Sequence, residues 1–568
     1  MAPDSDDGRS SSASSSFSKR PIDPITRTAL RYTISPREYE LLHQNLISRA
    51  PEKFQAKTPR PQRYAKITKG TSETGDYNVA SLRAALRVFV AAYTGLKGWD
   101  VVSKQLASRR GGVQYVLSYA TRARVSIDQH RFRSKSKAVV HRYPNARIAL
   151  SLSTILLFHR LLHRFFKRLR ASLLEGSAEP WRERNPTVAR LLTSKYTPAI
   201  GSSLAGLCLG VSPADQLRLT VTIYTFSRSL EFAYNALSES GYIWRNGKPW
   251  WFGSWLIMPF ACGQLLHAFV LDRDCFPESY GRFILRQSPE YIQTRPADYP
   301  LSKPWPATFD IVDALAGLSK LKWPAFISPI LFPSKKDTLP PSLSKISPLT
   351  SSAHPLITHT SCAVLHPRDP SCSRTYLKYF LKSLPSIARF FTLIYGAFAM
   401  LAYKSLVKDP MPFLNRLAAR ILRMTLFITG AIGTSWGSIC LFNNYLPRGM
   451  LPTQRWFLGG FLGGLWAYVA RNGERGNFLY SLRLSIDSLW KVGRKRGWWK
   501  GIKNGDVLVF VASLALLNAV YEGRPAAVKG AVFRKGMGML RGEGWVDRAE
   551  EKKVDETEEV QDAGTKEE

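Results

Sequence analysis

An apolar pattern occurs twice in this chain, and its second copy lies about 250 residues after the first. The triplet LLH that ends at His267 corresponds to LLN, which ends at Asn518, and SLAGL, which ends at Leu207, corresponds to FLGGL, which ends at Leu465. Solenoid repeats recur every 20 to 50 residues or so, roughly a fifth of this period or less. The pattern therefore predicts two halves that share one fold.

Each half contains about five apolar segments of helical length. They span 80–98, 146–165, 197–213, 219–237 and 252–271, and then 385–404, 419–442, 456–470, 478–490 and 505–521. Lys and Arg crowd the segment ends, where a long side chain can reach the lipid head groups from an apolar stem. We therefore predict an all-α, polytopic integral membrane protein with two related halves of about four to five helices each. A large soluble helical protein is the alternative.

The net charge bears on the choice of partners. The chain has 80 Lys and Arg residues against 42 Asp and Glu residues, a formal charge of +38. Nucleic-acid-binding proteins concentrate such charge in one patch, whereas here it is spread over nearly every connection. We predict contact with membrane lipids, including anionic head groups, and no nucleic acid. Membrane protein partners or a homo-oligomer are also expected.

Shifts in composition divide the chain into five regions. They are a disordered N-terminal region (1–76), a first membrane half (77–286), a Pro-rich connection (287–372), a second membrane half (373–545) and an acidic disordered tail (546–568). The connection holds 14 of the 35 prolines, which favours an extended chain over a folded domain. Within it, the stretch FDIVDALAGLSKLKW (309–323) has apolar residues at helical spacing, which predicts a helix along a membrane surface or on the helix bundle. The two halves are inverted if all five segments of each cross the membrane, and parallel if the first segment lies on its surface. The sequence leaves this open.

Charged residues within the apolar segments come with partners. Arg228 and Glu231 are three residues apart, and Arg483 and Asp487 are four apart, so each pair can meet on its own helix. An unpaired charge in hydrocarbon is costly, so pairing is expected whatever the function. Two interpretations remain open, a clamp between helices and a polar path for a solute or lipid head group.

His267 and Asn518 occupy corresponding positions in the two halves, each as a polar residue in an apolar segment. Such residues commonly form a hydrogen bond with a neighbouring helix. The spacing from His267 to Asp272 also matches the H-x4-D pattern of glycerolipid acyltransferases, in which the His acts as a general base. The second half has Asn518 and Gly523 at these positions, so the enzyme interpretation depends on one half alone.

Two groups of residues have the chemistry of metal ligands. His159 and His163 lie one helical turn apart, but the neighbouring basic residues favour the edge of a membrane over a metal site. Before the second half, a short stretch holds His354, His359, Cys362, His366 and Cys372. Their spacing fits no common zinc finger. We assign no metal from the sequence, and leave open whether Cys362 and Cys372 bind a metal or form a disulfide.

Glycines occur at four-residue spacing in the stretch GGFLGGLW. Gly459 and Gly463 form one pair, and Gly460 and Gly464 form another. A phosphate-binding loop would need a following Lys and Ser or Thr, which are absent from this stretch. Small residues four apart are typical of membrane helices that pack closely, so these four glycines are predicted to mediate helix packing.

Several stretches together resemble the transmembrane protein 135 family. In the second half they are CAVLHPRDPSC, FLGGFLGGLWAYVARNGERGNFLYSLRLSIDSLW and NGDVLVFVASLALLNAVYE, and in the first half SLAGL, RSLEFAYNAL and LLHAFVLDRDCFPESYGRFIL. The similarity covers most of residues 197–286 and 360–542, while the connection and the tails depart from the family. The glycine-rich helices are also similar, more weakly, to the Tim17/Tim22/Tim23 import proteins.

The resemblance implies an integral membrane protein of peroxisomes or mitochondria that is connected with organelle dynamics and lipid homeostasis. The family has no established catalytic residues, so none is transferred to this chain. We predict a non-enzymatic protein without a cofactor, in which a lipid or metabolite moves along the interface of the halves. The alternatives are a component of a protein-import channel and a lipid-modifying membrane enzyme that uses His267.

Overall fold

The computed structural model describes residues 30–108 and 144–550, apart from residues 52–54, 56–57, 69–72, 298, 301, 303 and 336–339. The structure is 75% helical, and the described ranges contain no strand. The predicted all-α class is confirmed.

The helices that precede the connection include the five core elements expected for the first half. They are α1 (Pro36–Asn45), α2 (Pro61–Thr68), α3 (Glu73–Ser108), α4 (Pro144–Leu174), α5 (Glu179–Arg184), α6 (Pro186–Thr193), α7 (Thr197–Ser202), α8 (Gln216–Glu239), α9 (Ile257–Leu271) and α10 (Glu278–Arg286). Helix α7 continues directly into a 3-10 segment, Ser203–Val211.

The connection and the second half continue the series. Their helices are α11 (Thr308–Lys320), α12 (Ser347–Thr350), α13 (Thr360–Leu365), α14 (Cys372–Leu401), α15 (Tyr403–Lys408), α16 (Pro410–Tyr445), α17 (Arg455–Gly464), α18 (Arg475–Lys495), α19 (Gly505–Gly523) and α20 (Ala531–Arg541). Helix α17, like α7, runs into a 3-10 segment, Leu465–Tyr468.

Local sequence explains where several of these helices begin and end. The Asp215 side chain accepts a hydrogen bond from the backbone N–H of Arg218 at the start of α8, and Ser371 does the same for Arg374 at the start of α14. These bonds satisfy backbone donors that the first turn of a helix leaves free. Gly542 ends α20 in the left-handed region, with φ 86°, where a side chain would be strained.

Five helices are long and apolar enough to cross a membrane, judged by length and composition within the described residues. They are α3, α9, α14, α16 and α19, and their apolar spans run Tyr77–Ser103, Ser254–Leu271, Cys372–Leu401, Pro410–Tyr445 and Gly505–Gly523. This is the composition of an integral membrane protein. Helices α4, α8 and α18 are of similar length but more polar.

The two parts of the chain exchange their last core helix. Helix α9 packs against α17 and α18, whereas α19 packs against α8 and against α7 with its 3-10 segment. Within each part, α3 packs on α4, and α14 packs on α16. An ion pair with two hydrogen bonds also joins the starts of α8 and α19, between Arg218 and Asp506. The first part therefore has no complete core without the second.

The four glycines of α17 lie on two faces that contact two different helices. A Cβ added to Gly464 would lie 2.5 Å from the Cα of Pro259 in α9, and Gly460 meets the backbone of Cys262 and Gly263 in the same helix. On the other face, a Cβ on Gly463 would lie 2.6 Å from the carbonyl oxygen of Ala431 in α16, and Gly459 faces Ser438 there. Helix α17 is thus wedged between the backbones of α9 and α16.

The prediction that residues 287–372 form an extended connection is wrong. Ile311, Leu315 and Leu318 of α11 are fully buried, and with α13 they belong to the same hydrophobic core as α9 and α16. Trp323 lies beside Trp456, with 5.6 Å between ring centroids, and donates a hydrogen bond to the carbonyl oxygen of Pro452. Prolines end helices but do not prevent burial, so several short elements pack here where a linker was expected.

Parts of the two terminal regions that were predicted to be disordered are folded. Helices α1 and α2 lie within 1–76 and pack through the stacked rings of Tyr39 and Tyr64, whose centroids are 3.9 Å apart. At the other end, Asp547 is buried against Arg534, whose hydrogen bond lowers the pKa of the Asp547 carboxyl. Residues 1–29 and 551–568 lie outside the described residues.

Candidate functional site

An apolar cavity of about 230 Å³ lies between α9, α10, α14, α16 and α18. Its walls are mainly hydrocarbon and aromatic side chains from both parts of the chain, among them Leu265, Leu266, Phe391, Met424, Phe427 and Phe478. An apolar cavity of about 150 Å³ is large enough for benzene. The cavity described here can therefore hold a length of hydrocarbon chain.

Polar groups enter the cavity wall chiefly from one side. Asn477 and Ser481 of α18 are four residues apart, so they share a helix face. The Asn477 side chain also donates a hydrogen bond to Glu474, at 2.6 Å. Glu474 in turn pairs with Arg420 of α16, at 2.5 Å. The cavity therefore adjoins a charged pair that can receive the polar end of an amphiphile.

The predicted pair Arg228–Glu231 forms, with 2.7 Å between the guanidinium and the carboxylate. The other carboxylate oxygen of Glu231 forms an ion pair with Arg475 of α18, at 2.9 Å. Glu231 is therefore shared between two helices. None of these side chains lines the apolar cavity.

The predicted pair Arg483–Asp487 does not form within the described structure. Arg483 donates to the Ser227 hydroxyl of α8, at 2.8 Å, and Asp487 accepts from Lys491 at 2.7 Å and from Gln216 of α8 at 3.1 Å. Asp487 therefore pairs with Lys491 along α18 in place of Arg483, and both predicted residues also contact α8. The observed geometry is that of a clamp between helices, one of the two interpretations left open above.

Replacing Glu231 with alanine is expected to destabilise the protein by about 2 kcal/mol, because two guanidinium groups lose their shared carboxylate. Arg475 is 45% exposed, so solvent screens part of this effect. The measurement is thermal unfolding in detergent. The matched control is Glu239→Ala on the same helix, which removes an exposed pair with Lys529 and should change stability little. Equal stability of the two variants would count against a clamp.

His267 and Asn518 have different surroundings despite their corresponding positions. His267 is half-buried on α9 and is not part of the cavity wall. Asp272, which the acyltransferase pattern would pair with it, is instead held by Arg496 at 2.6 Å and Lys495 at 3.2 Å. This arrangement offers no support for a general base at His267.

Asn518 is fully buried and joins two helices of the first part to α19. Its amide donates to the Ser203 hydroxyl at 2.8 Å and to the ring of His159 at 3.0 Å. The other ring nitrogen of His159 donates to the carbonyl oxygen of Leu540, at 3.1 Å. His159 is therefore a connector between α4, α19 and α20, and His163, one turn on, is buried beside it.

Four side chains of the connection and the second half converge on one point. We define the Cys/His cluster as Cys362, His366, Cys372 and Cys440, whose sulfur and ring nitrogen atoms all lie within 4.8 Å of one another. Of the sequence candidates, His354 and His359 lie outside it: His354 accepts a hydrogen bond from the backbone of Leu356, and His359 precedes α13. This cluster has the donor set of a metal site.

Three residues of these sites were not among the sequence candidates: Cys440, Arg420 and Glu474. Cys440 is a small residue within an apolar helix and is separated from Cys362 by 78 positions, so spacing gave no signal. Arg420 lies at the start of a predicted apolar segment, and Glu474 lies in the turn before α18. Charges at the borders of apolar segments are a signal that could have found the last two.

Comparisons with known proteins add no assignment. No protein-family model matches this chain, and no solved structure matches it.

Proposed function

We propose that this is a non-enzymatic integral membrane protein whose two related halves hold one hydrocarbon chain of a membrane lipid. The observation that carries the proposal is the apolar cavity, whose walls come from α9 and α10 on one side and α14, α16 and α18 on the other. A lipid bound there would contact both halves. An import channel would need a polar passage, which this apolar wall does not support.

Reciprocal contacts support the relation between the halves. In the sequence alignment, Gly206 corresponds to Gly464, and Phe510 corresponds to Pro259. Gly464 faces Pro259, and a Cβ on Gly206 would lie 3.1 Å from the ring of Phe510. One contact in the structure is therefore the counterpart of the other. Duplicated folds that interlock about a two-fold axis produce such pairs.

The direction of the helices supports inverted halves. Helix α8 contacts α18 at Gln216–Asp487, Ser227–Arg483 and Glu231–Arg475, in that order. Residue numbers rise along one helix as they fall along the other, so the two helices are antiparallel. Antiparallel corresponding helices are the arrangement expected of inverted halves. Helices α8 and α18 are not among the five helices that are long and apolar enough to cross a membrane, so their direction bears on the relation of the halves and not on the number of crossings.

The location and cellular role follow from the family resemblance. We place the protein in the peroxisomal or mitochondrial membrane, with a role in organelle dynamics and lipid homeostasis. In this role, the cavity would retain or position a lipid next to the Arg420–Glu474 pair. Basic residues at the segment ends would then contact anionic head groups.

A substitution that fills the cavity with a larger side chain tests whether the cavity holds a lipid chain. The protein is reconstituted in liposomes that contain a phospholipid with a photoreactive acyl chain, and labelled peptides are mapped by mass spectrometry. Ile428 lines the cavity on α16, so Ile428→Trp should reduce labelling of the cavity peptides about tenfold, as expected for a loss of about 1.4 kcal/mol in binding.

The matched control is Leu422→Trp, on the same helix but 55% exposed on the outer face. This variant should keep wild-type labelling of α9 and α18. Labelling confined to outward-facing residues in the wild-type protein, or equal labelling in both variants, would overturn the proposal.

A further inference from the structure

We infer that the Cys/His cluster binds one zinc ion in a closed structural site. Zinc in a tetrahedral site lies about 2.3 Å from sulfur and about 2.0 Å from nitrogen, so bound sulfur atoms lie about 3.8 Å apart and sulfur lies about 3.5 Å from nitrogen. In the structure, the sulfur of Cys362 lies 3.7 Å from the sulfur of Cys440 and 4.0 Å from that of Cys372. The sulfur of Cys440 lies 3.4 Å from Nε2 of His366. These three distances are close to those of a zinc site, and the remaining ligand atoms lie within 4.8 Å of one another.

The surroundings of His366 favour metal binding through one defined nitrogen. Its Nδ1 lies 2.7 Å from the carbonyl oxygen of Asp369 and donates a hydrogen bond to it, while Nε2 faces Cys440. Zinc-binding histidines usually donate their second N–H to a carbonyl or a carboxylate, which fixes the ring and makes the ligand nitrogen more basic. Nε2 is therefore the free ligand atom.

The donor set selects the metal. Three thiolates and one imidazole suit zinc, whereas calcium and magnesium require oxygen ligands. Four protein ligands complete a tetrahedron and leave no open position for substrate, which distinguishes a structural site from a catalytic one. Cys362, His366 and Cys440 are at most 4% exposed. When zinc binds, each of the three thiols releases its proton and the ring stays neutral.

A disulfide is the other chemistry open to these thiols. The sulfur atoms of Cys362 and Cys372 are 4.0 Å apart, whereas a disulfide requires about 2.05 Å. Pairing any two of the three sulfurs would also leave the third, with His366, without a role. The geometry favours a metal that holds all four ligands.

Zinc at this position would join two consecutive helices to a third that is more distant in sequence. Cys362 lies in α13, Cys372 is the first residue of α14 and Cys440 lies near the end of α16. Trp436, one turn before Cys440, is part of the wall of the apolar cavity. The ion would hold the connection on the second half and fix one wall of the cavity. The inference of a zinc site does not depend on whether that cavity holds a lipid.

The first test is the metal content of the full-length protein, purified in detergent without added chelator and measured by inductively coupled plasma mass spectrometry. We expect about one zinc ion per chain. A Cys362→Ser, Cys440→Ser double variant should bind zinc at least about 100-fold more weakly. The matched control, a Cys208→Ser, Cys275→Ser double variant, alters thiols outside the cluster and should retain zinc.

A second measurement uses the wild-type protein and does not depend on the folding of a variant. Zinc is removed with a chelator and replaced by Co²⁺, whose absorption should show thiolate-to-cobalt charge transfer and tetrahedral bands. His366→Cys, which keeps four ligands in the cluster, should retain the metal. His366→Ala, which leaves three, should bind it more weakly. Folded wild-type protein that takes up neither zinc nor cobalt, or that contains a Cys362–Cys372 disulfide, would overturn the inference.

Discussion

Gly464→Leu should lower the free energy of unfolding by about 3 kcal/mol, at the upper end of the usual cost of overpacking. At this position an added Cβ would lie 2.5 Å from the Cα of Pro259 and 2.6 Å from the carbonyl oxygen of Met258. Both neighbours are backbone atoms of α9, which cannot move aside by changing rotamer. The helices α9 and α17 must therefore separate, and thermal unfolding in detergent measures the loss.

The matched control for this substitution is Gly396→Leu, in the C-terminal part of α14. A Cβ there would meet no atom within 4 Å, so the variant should keep nearly wild-type stability. At the corresponding glycine of the first half, Gly206→Ala should be tolerated better than Gly464→Ala, because its neighbours are the side chains of Val511 and Phe510. Equal losses at Gly464 and Gly396 would contradict the close contact.

Arg455→Ala should destabilise the protein by about 4 kcal/mol, because several buried hydrogen-bond acceptors would lose their donor at once. Arg455 is fully buried at the start of α17. It donates to the side chain of Asn443 at 2.8 Å and to the carbonyl oxygens of Leu446, Pro447 and Met450. A single guanidinium thus holds the end of α16 and the following turn together.

Arg448→Ala is the control for the loss of charge, since Arg448 is exposed in the same turn. It should leave the thermal unfolding midpoint close to that of the wild type. Arg455→Lys should remain clearly destabilised, because one ammonium group cannot reach acceptors that the planar guanidinium serves from several directions. A stable Arg455→Lys protein would show that charge alone is sufficient.

The helices themselves could be predicted from the sequence because the apolar segments are long. Each of the ten predicted segments coincides with helical structure. The four glycines of α17 could also be selected, because close approach of two helices needs small residues at fixed spacing. Which helices they approach, α9 on one face and α16 on the other, could not be predicted from spacing.

The connection shows what composition alone cannot predict. Its prolines indicate where helices end, but burial of Leu315 and Trp323 depends on the surface that α9, α16 and α17 form together in the folded protein. The sequence indicated Cys362, His366 and Cys372 as candidate ligands but not Cys440, since Cys440 joins them through the packing of α13, α14 and α16. Likewise, spacing within α18 could not distinguish Arg483 from Lys491 as the partner of Asp487, and the contact of Arg483 with Ser227 depends on the packing of α8.

The exchange of α9 and α19 between the halves sets an order of events during synthesis. Helix α9 leaves the ribosome before α17 and α18 exist, and at ordinary translation rates the intervening chain takes roughly 10 to 40 seconds to make. During that interval the face of α9 that will contact the glycines of α17 has lipid or an insertion factor as its neighbour. The nascent first half is thus an incomplete intermediate in the membrane, and its maturation waits for the C-terminal part of the same polypeptide.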